Sequence, residues 1–429
     1  MNRVRHMSAL GLLFIVMLFE LMAFALLSLR DESFDPWAMI FALILVALLF
    51  LQYVCVLWIS RYADRFLLVI ANLLAAIGMI VQYRLSPETA FRQLILYGIG
   101  LIAMFICIGL MHRHRIFRIL NWPMILGSLA ILGVLLVVGK EQGGAKNWIK
   151  IGDFSFQPSE FVKVALVFVS ANYLTEQKGW RDWLPSALFA ILACALLVAE
   201  RDLGAALLVA GTYLILFYTA TGDVKATLVG LGSGCVGAVA SYFVFDHVRA
   251  RVAIWQNPWA TYETSGYQIA QGLMAIASGG LWGLGLTQGS PKSIPAYNTD
   301  YIFAVICEEF GIIFGIAVIA LYLVFIIRGA LVALYARDRY LMLVAFGCTV
   351  LITLQSFIII GGVIKLIPLT GITMPFVSHG GSSLIASLML LGILEGVAMR
   401  NGDMLEDAMD AALEEDRLLS RQKGGDHAG

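Results

Sequence analysis

Apolar stretches about as long as a bilayer is thick return from one end of this sequence to the other, and no other feature limits its fold so strongly. A helix needs ~20 mostly apolar residues to cross the hydrocarbon region. Such runs lie near residues 8–30, 37–59, 65–82, 93–111, 117–139, 160–175, 184–199, 203–221, 225–245, 301–327, 341–363 and 382–399. These make about twelve spans by hydropathy. The chain is 60% hydrophobic and 14% charged, against ~45–50% and ~25% in a soluble domain. That apolar surplus is hidden only if lipid is the solvent. The expected fold is all-α, a polytopic transmembrane helix bundle with no large soluble domain.

Charge in the connections sets the expected orientation. With the N-terminus inside, the inner segments carry Arg3, Arg5, Arg61, Arg65, Arg113, Arg115, Arg118, Lys178, Arg181, Arg328, Arg337, Arg339 and Arg400. The first outer turn, Arg30 to Asp35, is acidic, and Lys140, Lys146 and Lys150 make 140–159 the exception. Both termini are therefore expected to be cytoplasmic. The run Ala9–Leu29 is too long for a signal-peptide core and is read as a retained span. A net charge of +0 leaves no basic footprint for nucleic acid. The six cysteines all lie in apolar runs with no CxxC spacing, so they read as small core residues. His112 and His114, in the most basic inner loop, read as a solvated anchoring face.

Three outer segments, 140–159, 246–300 and 364–381, are more than connections. The second, about 55 residues, is rich in glycine and in Trp255, Trp259, Tyr262, Tyr267 and Trp282, which suits the membrane interface better than disorder. The tail from 401 onward reads as a short acidic cytosolic helix with a frayed end. The glycines of Gly230-Leu231-Gly232-Ser233-Gly234 are expected to permit close helix contact.

Charges at span ends are costly and mark candidate sites. Glu160 and Lys163, three residues apart after Pro158, share a helix face. They form either an interfacial ion pair or a cation poised for an anionic head group. Glu200-Arg201-Asp202 is either a charged hairpin turn or part of a site. Thr299 or Asp300 suits the cap of the tenth span, with Glu308 ~12 Å deeper and in need of a partner such as Lys163, or of water. Acid at the mouth and below it, with Glu309, suggests a polar cavity opening outward. Lys365 and the Ser378-to-Ser383 segment either turn back into the membrane or meet an anion with backbone amides. Walker A, HExxH and GxSxG signatures are absent.

Together these segments resemble the SEDS family (shape, elongation, division and sporulation), which includes FtsW, RodA and SpoVE. The matching stretches are Gly144 to Ile149, Gln157-Pro158-Ser159-Glu160, Asp202-Leu203-Gly204, Gly266-Tyr267-Gln268, Thr299 to Ala304 with Glu308 to Gly311, and Pro368 to Ser383. The Pro-Leu-Thr-Gly segment leans toward FtsW and SpoVE. The family usually has ten spans, so residues 1–62 read as two additional N-terminal helices, 63–400 as the core and 401–429 as the tail. The family commonly has Arg where Asn147 stands, Pro at Arg201, Glu and His at Ala296 and Asn298, and Tyr at His379.

The resemblance implies a peptidoglycan glycosyltransferase of the bacterial cytoplasmic membrane. It would polymerise lipid II into β-1,4 glycan on the outer face, with inversion, beside a class B penicillin-binding protein. Asp300 would be the general base. Lys163, Lys365, Lys292 and Arg251 are candidate partners of the leaving pyrophosphate, and a divalent cation (Mg or Mn) would share that task. Glu160, Asp202, Lys146, Trp148, Gln268, Ser378 and Ser382 complete the expected substrate surface. Two other classes compete: a lipid-linked precursor flippase and a non-catalytic scaffold. A transporter would place charges at the midplane within inverted repeats, whereas here the polar clusters gather outside and no repeat is found.

Overall fold

The structure, a computed structural model, describes residues 2–30, 34–114, 116–142, 145–151, 154–176 and 179–425. Arg115, Gly144 and Lys178, invoked above, lie outside these, as do residues 31–33 and 426–429. In chain order the elements are α1 Asn2–Ser28, α2 Pro36–Ile59, α3 Arg65–Leu85, α4 Pro87–His112, the short α5 Ile116–Ile119 and α6 Asn121–Val138. Strands β1 Lys140–Gln142, β2 Ala145–Ile151 and β3 Phe154–Phe156 follow, then α7 Ser159–Thr175, α8 Trp180–Ala199, α9 Leu203–Thr221 and α10 Val224–Val244. The chain continues through α11 Asp246–Gln256, α12 Tyr267–Gly279, α13 Ile302–Phe310, α14 Ile312–Leu334, α15 Arg339–Val363 and α16 Gly381–Gly425.

Among the described residues, 11 helices are long and apolar enough to cross a membrane. The sixth expected span, 160–175, is α7 and is the one not among these. With 17 residues it falls just short of span length, and most of its side chains are buried. Protein rather than lipid surrounds it. The chain is a multi-pass membrane protein. Its core centres on α3, α15 and α16, with α16 laid along α4, α14 against α15, and α7 between α9 and α15. The polar ends of the helices are closed by side chains. Asp35, Asp64, Ser86, Asp202, Asp223 and Asp338 each accept a backbone N–H in the first turn they precede.

Three expectations are corrected, and the 140–159 segment, expected to be more than a connection, takes a definite form. The tenth span does not begin at Tyr301: the helix breaks at Gly311, whose φ of 88° lies in the left-handed region, so α13 is a separate short helix and α14 is the span. The 140–159 loop is a three-stranded antiparallel sheet, β1-β2-β3, with Lys140 opposite Trp148 and Ile149 opposite Phe156. The tail is not a separate helix. Gly402, just past the last span, keeps helical rather than left-handed backbone, no proline follows, and α16 runs on unbroken for 45 residues. Finally, Gly232 and Gly234 meet open space and α10 buries none of its side chains; of that glycine run only Gly230 faces another helix, at Leu214.

Candidate active site

The site is built from three segments that meet at one end of the bundle. Asp202 organises the first. Its Oδ1 caps α9 by accepting from Ala205 N at 3.0 Å, and its Oδ2 accepts from Asn147 Nδ2 at 2.6 Å and from Gln157 Nε2 at 3.3 Å. One carboxylate thus ties the sheet, the turn before α7 and the start of α9. Arg201, just before it, takes a left-handed φ of 65°, which folds the α8–α9 connection into three residues, Glu200 to Asp202. Glu200, fully buried, has no side-chain partner among the described residues. Burial and then the neighbouring Asp202 charge push its carboxyl up to about 8.

Glu160 and Lys163 form the expected pair at 2.8 Å, but they do not snorkel: the two side chains are 8% and 4% exposed. Lys163 Nζ also donates to Gln355 Oε1 at 3.4 Å, and Gln355 Nε2 donates to Thr373 O at 2.8 Å. Lys163 is therefore an internal strut between α7, α15 and the 370s, with its charge already matched. Lys163 is not the partner of Glu308. Glu308 Oε1 accepts from Ser290 N at 3.0 Å, and Glu309 pairs with Arg84 of α3 at 2.8 Å. Both acids brace the 287–290 loop against α13 and do not line an open cavity.

The third segment is Thr370–Ser383. Gly204 packs on Thr370 and Ile372, while Gly371 lies beside Asp300, so this turn separates Asp202 from Asp300. Ser378 Oγ donates to Thr299 O at 2.7 Å and accepts from Met374 N; His379 N donates to Asn298 O at 2.9 Å. Gln82 of α3 donates to the same Asn298 carbonyl at 2.9 Å. Ser382 Oγ accepts from Gln157 N, closing the circuit to the first segment. These serines hold backbone in place. The His379 ring meets Gln93 Oε1 at 2.6 Å, and burial, then Arg92, hold its pKa down and keep it neutral.

Asp300 stands at the centre of this clamp and is partly exposed. It does not cap α13, whose cap position is Tyr301 without a side-chain bond. No N-cap bond to α13 therefore lowers its pKa. Burial raises the carboxyl to about 6, opposed by the Thr299 hydroxyl and the Arg251 charge. Arg251, from α11, donates to Thr370 O at 3.3 Å and is thus fixed on the same turn. Lys365 (φ 62°) instead donates to Gln256 O, and Trp255 donates to its carbonyl, so it anchors α11. Lys292 and Lys146 are exposed, Trp148 is half-buried on β2, and Gln268 Nε2 donates to Pro295 O at 3.2 Å.

No group of three or more His, Cys, Asp or Glu side chains among the described residues is placed to hold a metal ion. The donor set thus does not fit a divalent cation ligated by protein alone. Sequence reasoning missed Gln82, Arg84, Gln93 and Gln355. Each is a polar residue within or at the end of an apolar run, which was the available signal.

Comparison with known proteins places this geometry in context. The pattern for the cell cycle proteins FtsW, RodA and SpoVE matches residues 64–402. The peptidoglycan glycosyltransferase RodA of Mycobacterium tuberculosis is 34% identical over 370 residues, 79% of this chain and 78% of that protein. Stage V sporulation protein E of Bacillus subtilis is 36% identical over 361 residues, 78% of this chain and 96% of that one. A probable peptidoglycan glycosyltransferase FtsW of Geobacter metallireducens is 32% identical, so identity does not separate the three branches. Among solved structures, a chain of a peptidoglycan synthase complex that coordinates polymerization and crosslinking matches with a TM-score of 0.69 and 27% identity, over 79% of this chain and 98% of that one. Thermus thermophilus RodA matches with a TM-score of 0.59 and 27% identity, over 78% and 96%. The chain belongs to the FtsW/RodA/SpoVE family of cell cycle proteins.

Proposed function

We propose that this protein is a peptidoglycan glycosyltransferase that polymerises lipid II on the outer face of the bacterial cytoplasmic membrane, with Asp300 as general base. The observation that carries the assignment is the clamp on residues 298–300. Two separate elements, α3 and the Thr370–Ser383 segment, fix that backbone through three bonds, and they leave one carboxyl partly open, with a pKa of about 6, beside a fixed arginine. A base so placed is ionised at neutral pH yet more basic than an ordinary aspartate.

The acceptor sugar's 4-hydroxyl attacks the donor's anomeric carbon while Asp300 takes its proton. The bond from that carbon to the phosphate oxygen breaks, and the pyrophosphate leaves with the electron pair. A single displacement inverts the anomeric centre and gives a β-1,4 link. Arg251 is the cation whose charge reaches Asp300, and it stabilises the departing pyrophosphate. Lys292, in the loop before α13, and Lys146, on β2, are exposed and draw the anion in. Lys163 is assigned to the scaffold because Glu160 already neutralises it. A class B penicillin-binding protein is the proposed crosslinking partner, in keeping with the synthase complex that the fold matches.

The test is polymerisation of lipid II by purified protein, alone and with its cognate transpeptidase. Wild type is expected to yield glycan polymers. Asp300→Asn, folded equally well, is expected to lose ~10²–10⁴-fold, the contribution of a positioned base. Polymer from both removes Asp300 from the role. Polymer from neither, with the partner present, moves the assay to flipping of lipid II in liposomes and overturns the polymerase reading.

A further inference from the structure

Helices α1 and α2 precede the stretch that the family pattern matches, and the reaction above gives them no task. They are nevertheless joined to the core by specific contacts. At mid-depth the Tyr97 hydroxyl of α4 donates to Gln52 Oε1 of α2 at 2.9 Å, and Gln52 Nε2 points to Met104 Sδ at 3.3 Å. Closer to the Asp300 end, Phe24 of α1, Phe41 of α2, Tyr83 of α3 and Phe91 of α4 form one ring cluster, with centroids 5.1 to 6.3 Å apart. Beyond the cluster, the Tyr83 hydroxyl donates to Asp35 Oδ2 at 3.1 Å, while Asp35 Oδ1 accepts from Trp37 N and caps α2.

Tyr83 is the middle of three consecutive residues in the last turn of α3, and successive helical residues point ~100° apart. Its neighbours turn toward the site. Gln82 donates to Asn298 O at 2.9 Å, two residues from Asp300. Arg84 pairs with Glu309 at 2.8 Å and donates to the carbonyls of Gly289 at 2.9 Å and Thr287 at 3.3 Å. One helical turn therefore touches α1 and α2 with its central residue and the loop that carries Asp300 with the two beside it.

We propose that α1 and α2 are an intramembrane brace for the Asn298–Asp300 segment, and that Tyr83 is the positioning residue through which the brace acts. The inference rests on the assignment of Asp300 as the base. Its physical basis is that catalysis is intolerant of small displacement: a 1 Å error in a positioned group lowers rate by up to ~10²-fold. A helix pair that served only as a membrane anchor would need neither a polar bond at Tyr83 nor a ring cluster centred on the residue between Gln82 and Arg84.

The experiment uses the full chain in nanodiscs, wild type against Tyr83→Leu, Tyr83→Phe and Asp35→Asn. Hydrogen–deuterium exchange is read at Thr299 and Tyr301, whose amides both donate to the Ala296 carbonyl. Lipid II polymerisation is measured alongside, as kcat and KM. Tyr83→Leu is expected to speed exchange there and to lower kcat about tenfold, with KM within about twofold. Asp35→Asn and Tyr83→Phe, which keep the rings, are expected to show a smaller change of roughly fivefold or less. Exchange at Thr299 and Tyr301 equal to wild type in folded Tyr83→Leu and Asp35→Asn overturns the brace. Should Tyr83→Leu fail to fold, Tyr83→Phe and Asp35→Asn decide by the same readout. If wild type makes no polymer even with its cognate transpeptidase present, the glycosyltransferase reading fails by itself, and exchange still decides the brace.

Discussion

Asp300 differs from an ordinary aspartate in its surroundings, and pH is the variable that exposes this. Its carboxyl moves from 3.8 to about 6 because burial disfavours the charge more than Arg251 and Thr299 restore it. Polymerisation should fall as pH drops below about 6, with unit slope, as the base becomes protonated. Stability should run the other way. A carboxyl whose pKa is raised by folding contributes stability that is full below 3.8 and is lost as pH rises to about 6. Glu200, raised to about 8, extends the same loss across neutral pH. Rate and thermal-melting profiles on one preparation check both signs. The buried pair gives a second residue-scale prediction. Lys163→Met strands Glu160 and should destabilise by roughly 3–5 kcal/mol, whereas Glu160→Gln with Lys163→Met should recover most of it. Equal melting of the single and double variants would show that the pair carries no burden.

At the scale of elements, the break between α13 and α14 matters most. Gly311 turns with φ 88°, and its Cα hydrogen faces the carbonyl of Leu281, so a Cβ would both strain the backbone and collide. Gly311→Ala is therefore expected to destabilise by about 1–3 kcal/mol and to displace α13, with polymerisation falling alongside. Unchanged melting and activity would show that the break is dispensable. Gly78 has a similar place on α3, where a Cβ would stand 2.6 Å from Val377 O and push the segment that holds Ser378 and His379. These close contacts explain why the glycine-rich look of α10 misled. Glycine permits a close approach, but only a partner backbone uses it, and none lies opposite Gly232 or Gly234. The hydropathy of 301–327 misled for a related reason, since a helical break at one glycine leaves the apolar average unchanged.

For the whole molecule, the eleven helices long enough to span, with α7 as a twelfth crossing, would return both ends of the chain to one side, and the basic connections predict that side to be the cytoplasm. The Asp64–Arg328 pair at 2.5 Å, the Glu395 bond to Asp64 N at 2.8 Å, and the ion pair of Arg61 with Glu406 gather at the end opposite Asp300. In a background without the six native cysteines, Lys292→Cys should react with an impermeant maleimide from outside intact cells, and Arg113→Cys should react only after permeabilisation. The reverse pattern would invert the topology and place the site inside.

The membrane class and the number of spans, eleven long helices plus the shorter α7, were legible in the sequence. Hydrophobic run length and charge placement are local quantities that survive any arrangement of the helices. Which charges are spent inside the fold was decided only by tertiary structure. Glu308 and Glu309 look like free site groups along the chain, yet packing brings Ser290 and Arg84 to them, whereas the Lys163 pair with Glu160, three residues away, was already offered by the sequence. Asp300 looks like a helix cap, yet the real helix starts after it and burial, not the helix dipole, sets its acidity. Pairing and desolvation depend on neighbours distant in sequence, so no local pattern encodes them.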